Sequence, residues 1–288
     1  MKENINYTLL RNGVRAPKLI QGLPLIMGLS NFSQKDVYEI IKNSLNNNIW
    51  GFDTSHDYGK SEEYIGHSIR KMISEGILIR ENVFITSKIG NAQQEEGNIE
   101  LYVDRSLKTL GLEYLDLMLL HWPYPGYIDN WEKLVKVYQK GKIKAIGIAN
   151  AKIYHLEAIK QTYPNFLPQV LQTEIHPFNT CEVLREYCKI NQISLQACSS
   201  LCLMIPMVKE NPTLHMMRNK YNKSIAQIML KWSLQSGISP VFRAFKKEHI
   251  NEIKDLMNFD LSINDMNDIN KLNLNYRYHP ESINCPGF

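Results

Sequence analysis

Several common sequence signatures are missing from this chain of 288 residues. Neither the G-x-G-x-x-G turn of a Rossmann fold nor the G-x-x-x-x-G-K-[ST] phosphate loop occurs in it. No run approaches the ~20 consecutive apolar residues that cross a bilayer. The sequence also does not open on an apolar core behind a basic start, so we expect a cytoplasmic protein without a membrane partner.

Cysteine is sparse and shows no metal-binding or disulfide spacing. The five cysteines are odd in number and contain no C-x-x-C pair: Cys181, Cys188, Cys198, Cys202 and Cys285. This pattern argues against both a disulfide framework and a zinc site, so we expect reduced thiols and no metal. A nucleophilic role is an alternative for Cys198, but a small buried apolar side chain is the commoner identity of a single cysteine.

The charge balance argues against nucleic acid as a partner. Lys and Arg number 33 against 29 Asp and Glu, which gives a net charge of +4 with the two signs interleaved. Because acidic residues lie between the basic ones, the sequence contains no basic stripe of the kind that binds a phosphate backbone. The length and a hydrophobic fraction of 44% allow a sizeable core, either in one α/β barrel or in two smaller domains.

Apolar, β-rich runs alternate with helical patterns along the chain. Asn12-Gly13 between two apolar runs predicts a β-hairpin with a primed turn that caps or plugs the fold. The first barrel strand is predicted over 19–23, and Ser33 with Asp36 predicts the capped start of a helix over 34–46. Seven further strands are expected at IWGFD, VFITSK, DLMLLH, KAIGIAN, VLQTE, SLQAC and SPVF.

Eight strands with helical connections predict a (β/α)8 TIM barrel. The connections suit right-handed crossovers, and several strands are apolar on both faces, as in a covered parallel sheet. We therefore predict an α/β protein in which residues 1–288 form one barrel domain, with an N-terminal β-hairpin cap and a short C-terminal tail. A doubly wound sheet is the alternative, and the missing glycine-rich turn argues against it.

Polar residues end three neighbouring strands of the predicted barrel. Asp53, Lys88 and His121 end IWGFD, VFITSK and DLMLLH, and Tyr58 follows five residues after Asp53. In such barrels the chemistry lies at the carboxyl ends of the strands. Each residue alone has an ordinary explanation, as a helix cap, a solvent-reaching amine, a core histidine or a packed phenol. Together they predict a site in which Lys88, held by Asp53, lowers the pKa of Tyr58.

Six collinear stretches carry a resemblance to a known family: GFDTSHDYGKSEEYIG, VFITSKIGN, SLKTLGLEYLDLMLLHWP, GKIKAIGIAN, QTEIHPF and AQIMLKWSLQSG. They are similar to the aldo-keto reductases, in the prokaryotic type that includes 2,5-diketo-gluconate reductases. The resemblance implies NADPH bound in extended form and a catalytic tetrad of Asp53, Tyr58, Lys88 and His121. Its implied activity is reduction of an aldehyde or ketone, with Tyr58 as proton donor and His121 orienting the carbonyl.

The resemblance also implies cofactor contacts, some of which depart from the family pattern. The implied contacts are Asn150, Gln172, Cys198, Ser199, Leu201, Arg243, Ala244, His249 and Glu252. Ala149 replaces the family's serine before Asn150, and Cys198 replaces the aromatic ring that stacks on the nicotinamide. Arg243 keeps a cation suited to the 2′-phosphate, which favours NADPH. If Lys246 and Lys247 only begin a solvated helix, NADH would be used comparably.

Three residues are implied as substrate contacts. Pro24 stands where the family has a bulky tryptophan, which predicts a wider pocket wall, while Trp122 and Tyr124 follow His121. The short tail resembles members that act on small keto-sugars. Two alternatives stay open: a nicotinamide-binding barrel with weak or lost turnover that serves as a sensor or partner subunit, and a specialised biosynthetic reductase. A small carbonyl compound is the expected partner, and a monomer the expected state.

Overall fold

Strands and helices alternate along the computed structural model, which describes residues 7–24 and 32–280. The strands in these ranges are β1 (Tyr7–Leu9), β2 (Arg15–Pro17), β3 (Ile20–Gly22), β4 (Gly51–Asp53), β5 (Phe84–Ile89), β6 (Leu117–Leu120), β7 (Ile146–Ala149), β8 (Val170–Glu174), β9 (Ser194–Cys198) and β10 (Ile238–Phe242). The first six helices are α1 (Gln34–Asn46), α2 (Ser61–Ser74), α3 (Asn91–Glu96), α4 (Ile99–Leu110), α5 (Tyr127–Gln139) and α6 (Ile153–Thr162). The helices that follow are α7 (Glu182–Ile190), α8 (Pro206–Lys209), α9 (Pro212–Tyr221), α10 (Ile225–Gln235), α11 (Lys247–Ile253) and α12 (Ile263–Asn270). Short 3₁₀ turns lie at Arg80–Asn82, Cys202–Met204 and Lys254–Met257.

Strands β3 to β10 form a closed barrel of parallel strands. They follow one another around the barrel in chain order, and β10 pairs with β3 to close it. Nearly every strand residue is buried, because helices cover the outside and side chains fill the inside. The expected (β/α)8 barrel is confirmed, including all eight of its expected strands. Parallel strands also bring all eight carboxyl ends to one rim. That residues 1–288 form one domain stays a prediction.

Helix α1 begins and ends where the capping pattern predicted. The side chain of Ser33 accepts a hydrogen bond from the backbone N–H of Asp36, and the Asp36 carboxylate accepts one from the backbone N–H of Ser33. This reciprocal pair satisfies two backbone donors that a helix start leaves open. In residues 7–24 and 32–280, we find no helix with the length and apolar character needed to traverse a bilayer.

The hairpin of β1 and β2 covers the amino-terminal end of the barrel. Gly13 in its turn has a φ of +84°, which glycine adopts without steric cost. The Asn12 side-chain amide donates to the Lys144 carbonyl at 2.9 Å, just before β7 begins. Leu10 is buried in a cluster with Phe84 and other side chains of the barrel interior. The expected cap is therefore confirmed, at the end opposite the polar rim. Its expected primed turn is wrong: the Gly13 N–H donates to the Leu10 carbonyl, so Arg11 and Asn12 are the central residues of the turn, and neither has a positive φ.

The buried leucine of this hairpin provides a test of the cap. We expect Leu10→Ala to lower the free energy of unfolding by about 2–5 kcal/mol, because the side chain leaves a cavity. Leu9, which is 70% exposed, is the matched control, and Leu9→Ala should change stability by only about 0.5 kcal/mol. Urea unfolding of both variants measures the difference, and equal losses would contradict the assignment of the hairpin as a cap.

Candidate active site

A buried ion pair lies where β4 and β5 reach the rim. Lys88 Nζ donates to Asp53 Oδ1 at 2.5 Å and to the Thr54 carbonyl at 2.9 Å. The exposed fractions of the Lys88 and Asp53 side chains are 1% and 5%. Burial lowers the pKa of Lys88, but the negative charge of Asp53 and the hydrogen bond to its carboxylate favour the charged form, and the net shift of the Lys88 pKa is upward. Lys88 is therefore held as a cation inside the barrel.

The same aspartate is held from the far side of the barrel. Gln172 Nε2 donates to Asp53 Oδ2 at 2.9 Å and to Gln196 Oε1 at 3.0 Å. This network joins β5, β4, β8 and β9, and it gives both Asp53 oxygens a partner. Gln196 was not identified from the sequence. Its position two residues before Cys198 was the available signal, since alternate residues of a strand share a face.

Tyr58 packs beside both Lys88 and His121. The Lys88 Nζ atom lies 5.1 Å from the centroid of the Tyr58 ring. Tyr58 Oη lies 3.5 Å from His121 Nε2, and the two rings meet edge to face with centroids 5.7 Å apart. The structure thus brings together the side chains of Asp53, Tyr58, Lys88 and His121.

The pKa of Tyr58 differs in direction from the sequence-based prediction. Burial raises the pKa of this phenol, and although the Lys88 cation lowers it, Asp53 and Asp57 add to the rise. The net shift of the Tyr58 pKa is upward. The prediction that this pKa lies below its ordinary value is therefore wrong for the chain without a cofactor. Lys88 acts in the predicted direction, but its effect on the Tyr58 pKa is smaller than the cost of moving a phenolate from water into the buried site. Tyr58 accordingly keeps its proton at neutral pH, as a proton donor must.

His121 follows β6 and has a polar neighbour at each ring nitrogen. Its Nδ1 atom lies 3.4 Å from Asp57 Oδ2 and 3.3 Å from Ser55 Oγ. Burial lowers the pKa of His121 and the Lys88 cation lowers it further, which outweighs the opposite effect of Asp57. The ring is therefore mainly neutral at pH 7. Asp57 and Ser55 were missed by the sequence reasoning, although Asp57 directly precedes Tyr58.

The residues implied at the nicotinamide end lie on β7, β8 and β9. Asn150 directly follows β7, has a φ of +60°, and donates from its side-chain amide to the His121 carbonyl at 3.1 Å. Cys198 ends β9 beside Glu174 of β8. Burial raises the pKa of the Cys198 thiol to about 12, so this group stays protonated. A nucleophilic thiolate is therefore not favoured at this position.

The residues implied at the phosphate end follow β9 and β10. Ser199 and Leu201 lie in the loop after β9, where Ser199 has a φ of +47°. The Ser200 hydroxyl donates to a backbone carbonyl of β10 at 3.1 Å, which holds this loop beside the end of β10. Arg243 follows β10 and is exposed, whereas Ala244 is buried. Arg243 thus lies outside the barrel interior and is exposed to solvent.

His249 and Glu252 lie farther along, on α11. His249 is exposed, and Glu252 is half-buried. Glu252 Oε2 accepts a hydrogen bond from the Ser224 hydroxyl at 2.7 Å, at the start of α10. Glu252 therefore connects two outer helices, a contact that the sequence reasoning did not predict.

The implied substrate residues follow strand ends at the same rim. Trp122 is buried, and its carbonyl accepts from Gln94 Nε2 at 3.1 Å. Tyr124 is half-buried in the same loop, and Pro24, also half-buried, lies two residues after β3. Residues 25–31, which follow Pro24 in the sequence, lie outside the described residues. The end of the tail, with Cys285, lies outside them too.

A buried carboxylate holds the described part of the tail. Glu174 ends β8, and its oxygens accept backbone hydrogen bonds from Tyr278 at 2.6 Å and His279 at 3.0 Å. His176 Nε2 lies 3.0 Å from the same carboxylate. Glu174 thus fixes the tail at the rim next to Cys198.

Comparison with known proteins agrees with this geometry. The model of the aldo/keto reductase family matches residues 24–203 and 204–274. A glyoxal reductase of Bacillus subtilis is 37% identical over 272 residues, which cover 94% of each chain. The uncharacterized oxidoreductase YtbE of the same organism is 37% identical over 279 residues, covering 96% of this chain and 95% of its own.

Solved structures of the family superpose on the barrel. The crystal structure of Bombyx mori aldo-keto reductase AKR2E4 in complex with NADP has a TM-score of 0.89 at 26% identity and covers 97% of this chain and 96% of its own. That of AKR2E5 complexed with NADPH has a TM-score of 0.86 at 26% identity, with 96% and 90% covered. The resemblance seen in the motifs, including its prokaryotic type, is confirmed. The chain belongs to the aldo/keto reductase family of oxidoreductases.

Proposed function

We propose that this protein reduces the carbonyl group of a small aldehyde or ketone to an alcohol, with NADPH as cofactor and Tyr58 as proton donor. The convergence of four side chains at one rim carries the proposal: Tyr58 Oη lies 3.5 Å from His121 Nε2 and beside the Lys88–Asp53 pair. Family membership supports the reaction, and the NADP and NADPH complexes of two structural neighbours support the cofactor.

The residues at the rim fit NADPH, the reduced form of nicotinamide adenine dinucleotide phosphate. Asn150 and Gln172 place amide groups beside the tetrad, and Arg243 offers an exposed guanidinium beyond the end of β10. Cys198 is a departure, because a thiol fills less space than the aromatic ring usual at this position. When bound, NADPH supplies the hydride that reaches the carbonyl carbon.

Residues of the protein would then neutralise the negative charge that develops on the carbonyl oxygen. Tyr58 holds a proton at neutral pH and would transfer it to this oxygen as negative charge accumulates there. The Lys88 cation, 5.1 Å from the ring centroid, would stabilise the phenolate left behind. Asp53 keeps Lys88 charged and in place, and His121 would orient the carbonyl by a hydrogen bond.

A panel of aldehydes and ketones tests the proposed function. Glyoxal comes first, because one relative is named a glyoxal reductase. We expect saturable loss of the reduced-nicotinamide absorbance with at least one small carbonyl compound. If NADPH binds but no compound is reduced, two alternatives remain: a sensor or partner subunit, which the changes at Ala149 and Cys198 motivate, and a specialised biosynthetic reductase whose substrate is outside the panel.

The exposed guanidinium of Arg243 gives a test of cofactor preference. We expect Arg243→Gln to raise the KM for NADPH by roughly 10- to 100-fold, since hydrogen bonds to charged groups contribute about 1.5–3 kcal/mol. The KM for NADH, which lacks the 2′-phosphate, should stay nearly constant. Arg218→Gln removes an exposed arginine from α9 and is the matched control. Equal effects on both cofactors would contradict a 2′-phosphate contact.

Location and assembly stay predictions. We propose a cytoplasmic monomer that acts on a small molecule. We also propose that it has no nucleic-acid partner, because its positive and negative charges are interleaved along the sequence. Light scattering of the purified protein measures the oligomeric state, and a mass of two or more chains would contradict the monomer.

A further inference from the structure

Asp57 lies against the imidazole of His121 on the solvent side of the site. Its Oδ2 atom is 3.4 Å from His121 Nδ1, and the exposed fractions of the two side chains are 39% for Asp57 and 16% for His121. Gly90, directly after β5, makes this position possible, because a Cβ atom there would collide with the Asp57 carboxylate. The aspartate therefore lies at the solvent-exposed edge of the site, in contact with His121 and close to Gly90.

The neighbours of Nδ1 determine where His121 carries its proton. The Asp57 carboxylate can only accept a hydrogen bond. Ser55 Oγ, 3.3 Å from Nδ1, accepts the Asp57 backbone N–H and can direct its own proton to the Lys88 carbonyl at 3.4 Å. The Asp57 carboxylate thus favours a proton on Nδ1, and the Ser55 hydroxyl, which can donate or accept, is compatible with it. A neutral imidazole has only one N–H, so its Nε2 atom, which faces Tyr58 Oη at 3.5 Å, carries a lone pair.

We propose that Asp57 is a positioning residue that fixes the tautomer of His121, so that carbonyl reduction requires the imidazolium form of that ring. This inference rests on the proposed function. With Nδ1–H directed at Asp57, only the imidazolium has a second proton, on Nε2, to donate to a carbonyl oxygen. The neutral ring instead accepts at Nε2, where it competes with the carbonyl for the Tyr58 proton.

The charges around His121 set the pH range of this requirement. Burial and the Lys88 cation lower the pKa of His121, Asp57 and Asp53 raise it, and the net direction is downward from 6.5. The active imidazolium is therefore complete only at acidic pH and is lost as pH rises through this lowered pKa. Tyr58 faces the same ring, and its raised pKa places its own proton loss above pH 10. The two titrations are thus well separated.

The pH profile of Asp57→Asn tests the proposal. For the wild type, kcat/KM should fall by about tenfold per pH unit above the His121 pKa. An amide at position 57 no longer requires a proton on Nδ1, so the neutral ring can carry it on Nε2, and the profile should stay nearly flat to pH 9. Glu63→Gln removes a nearby exposed carboxylate from α2 and should keep the wild-type profile. An Asp57→Asn profile identical to that of the wild type would overturn the proposal.

Nitrogen NMR provides a readout that needs no turnover. In ¹⁵N-histidine-labelled wild-type protein, His121 at pH 8 should show a protonated Nδ1 and an unprotonated Nε2, and Asp57→Asn should move the population toward Nε2–H. Spectra of His121→Asn identify the signal among the eight histidines. A wild-type Nε2–H tautomer would refute the role of Asp57. Failure to reduce any carbonyl would instead refute the proposed function and leave the tautomer assignment intact.

Discussion

We expect Tyr58→Phe to lower the kcat of carbonyl reduction by about 100- to 10,000-fold, the range typical of a positioned general acid. The change removes only the hydroxyl, whose oxygen lies 3.5 Å from His121 Nε2, and it keeps the ring that packs beside Lys88. Because the pKa of Tyr58 is raised, the wild-type hydroxyl is protonated over the whole neutral range, so the substitution would remove the proposed proton donor itself.

The dissociation constant for NADPH separates this effect from a loss of binding. We expect fluorescence titration to give a value within about twofold of the wild type, because a group used only in the transition state affects kcat without affecting cofactor affinity. Tyr154→Phe, which removes an exposed hydroxyl on α6, is the matched control and should keep full activity. A Tyr58→Phe variant with more than about a tenth of the wild-type kcat would show that another group delivers the proton.

The barrel was predictable because its strands are covered on both faces. VLQTE and SLQAC form β8 and β9 over their whole predicted length, and the Ser33–Asp36 pair begins α1 at the predicted residue. Strand ends were less certain: the run predicted over 19–23 forms β3 only at Ile20–Gly22. Local hydrogen bonds determine where a strand ends, and the residue types along the sequence predict these hydrogen bonds poorly.

The candidate site was predictable in its members but not in its electrostatics. Parallel strands deliver Asp53, Lys88 and His121 to one rim by topology alone, so strand ends were sufficient to group them. The direction of the Tyr58 pKa shift depends on the balance between burial and the Lys88 charge, which requires coordinates. The same holds for Asp57, whose contact with His121 depends on the space that Gly90 leaves.

We expect Lys88→Met and Asp53→Asn each to lower the free energy of unfolding by about 3–5 kcal/mol. Each single change leaves the other member of a buried pair without its partner, and an unpaired buried charge is strongly destabilising. Lys88→Met also removes the cation beside Tyr58, so kcat should fall by at least about 100-fold in protein that remains folded. Urea unfolding and single-turnover rates of the same preparations measure the two effects.

A second ion pair, largely buried, allows an effect on stability to be distinguished from an effect on the reaction. Arg80 Nη2 lies 2.7 Å from Asp116 Oδ2 just before β6 begins, at the end of the barrel opposite the site. Arg80→Met should therefore cost a similar amount of stability, about 3–5 kcal/mol, and leave kcat near the wild-type value. If Arg80→Met and Lys88→Met lower kcat equally, loss of stability explains both, and the Lys88 cation has no catalytic role.

The double variant Asp53→Asn with Lys88→Met separates the two functions of the ion pair. With neither charge present, no unpaired ion remains buried, and we expect the double variant to be at least about 2 kcal/mol more stable than the sum of the single losses predicts. Its kcat should stay as low as that of Lys88→Met, because the phenolate of Tyr58 still lacks a neighbouring cation. Recovery of kcat together with stability would show that the pair only supports the fold. Recovery of stability alone would assign the charge of Lys88 to the reaction and that of Asp53 to holding Lys88 in place.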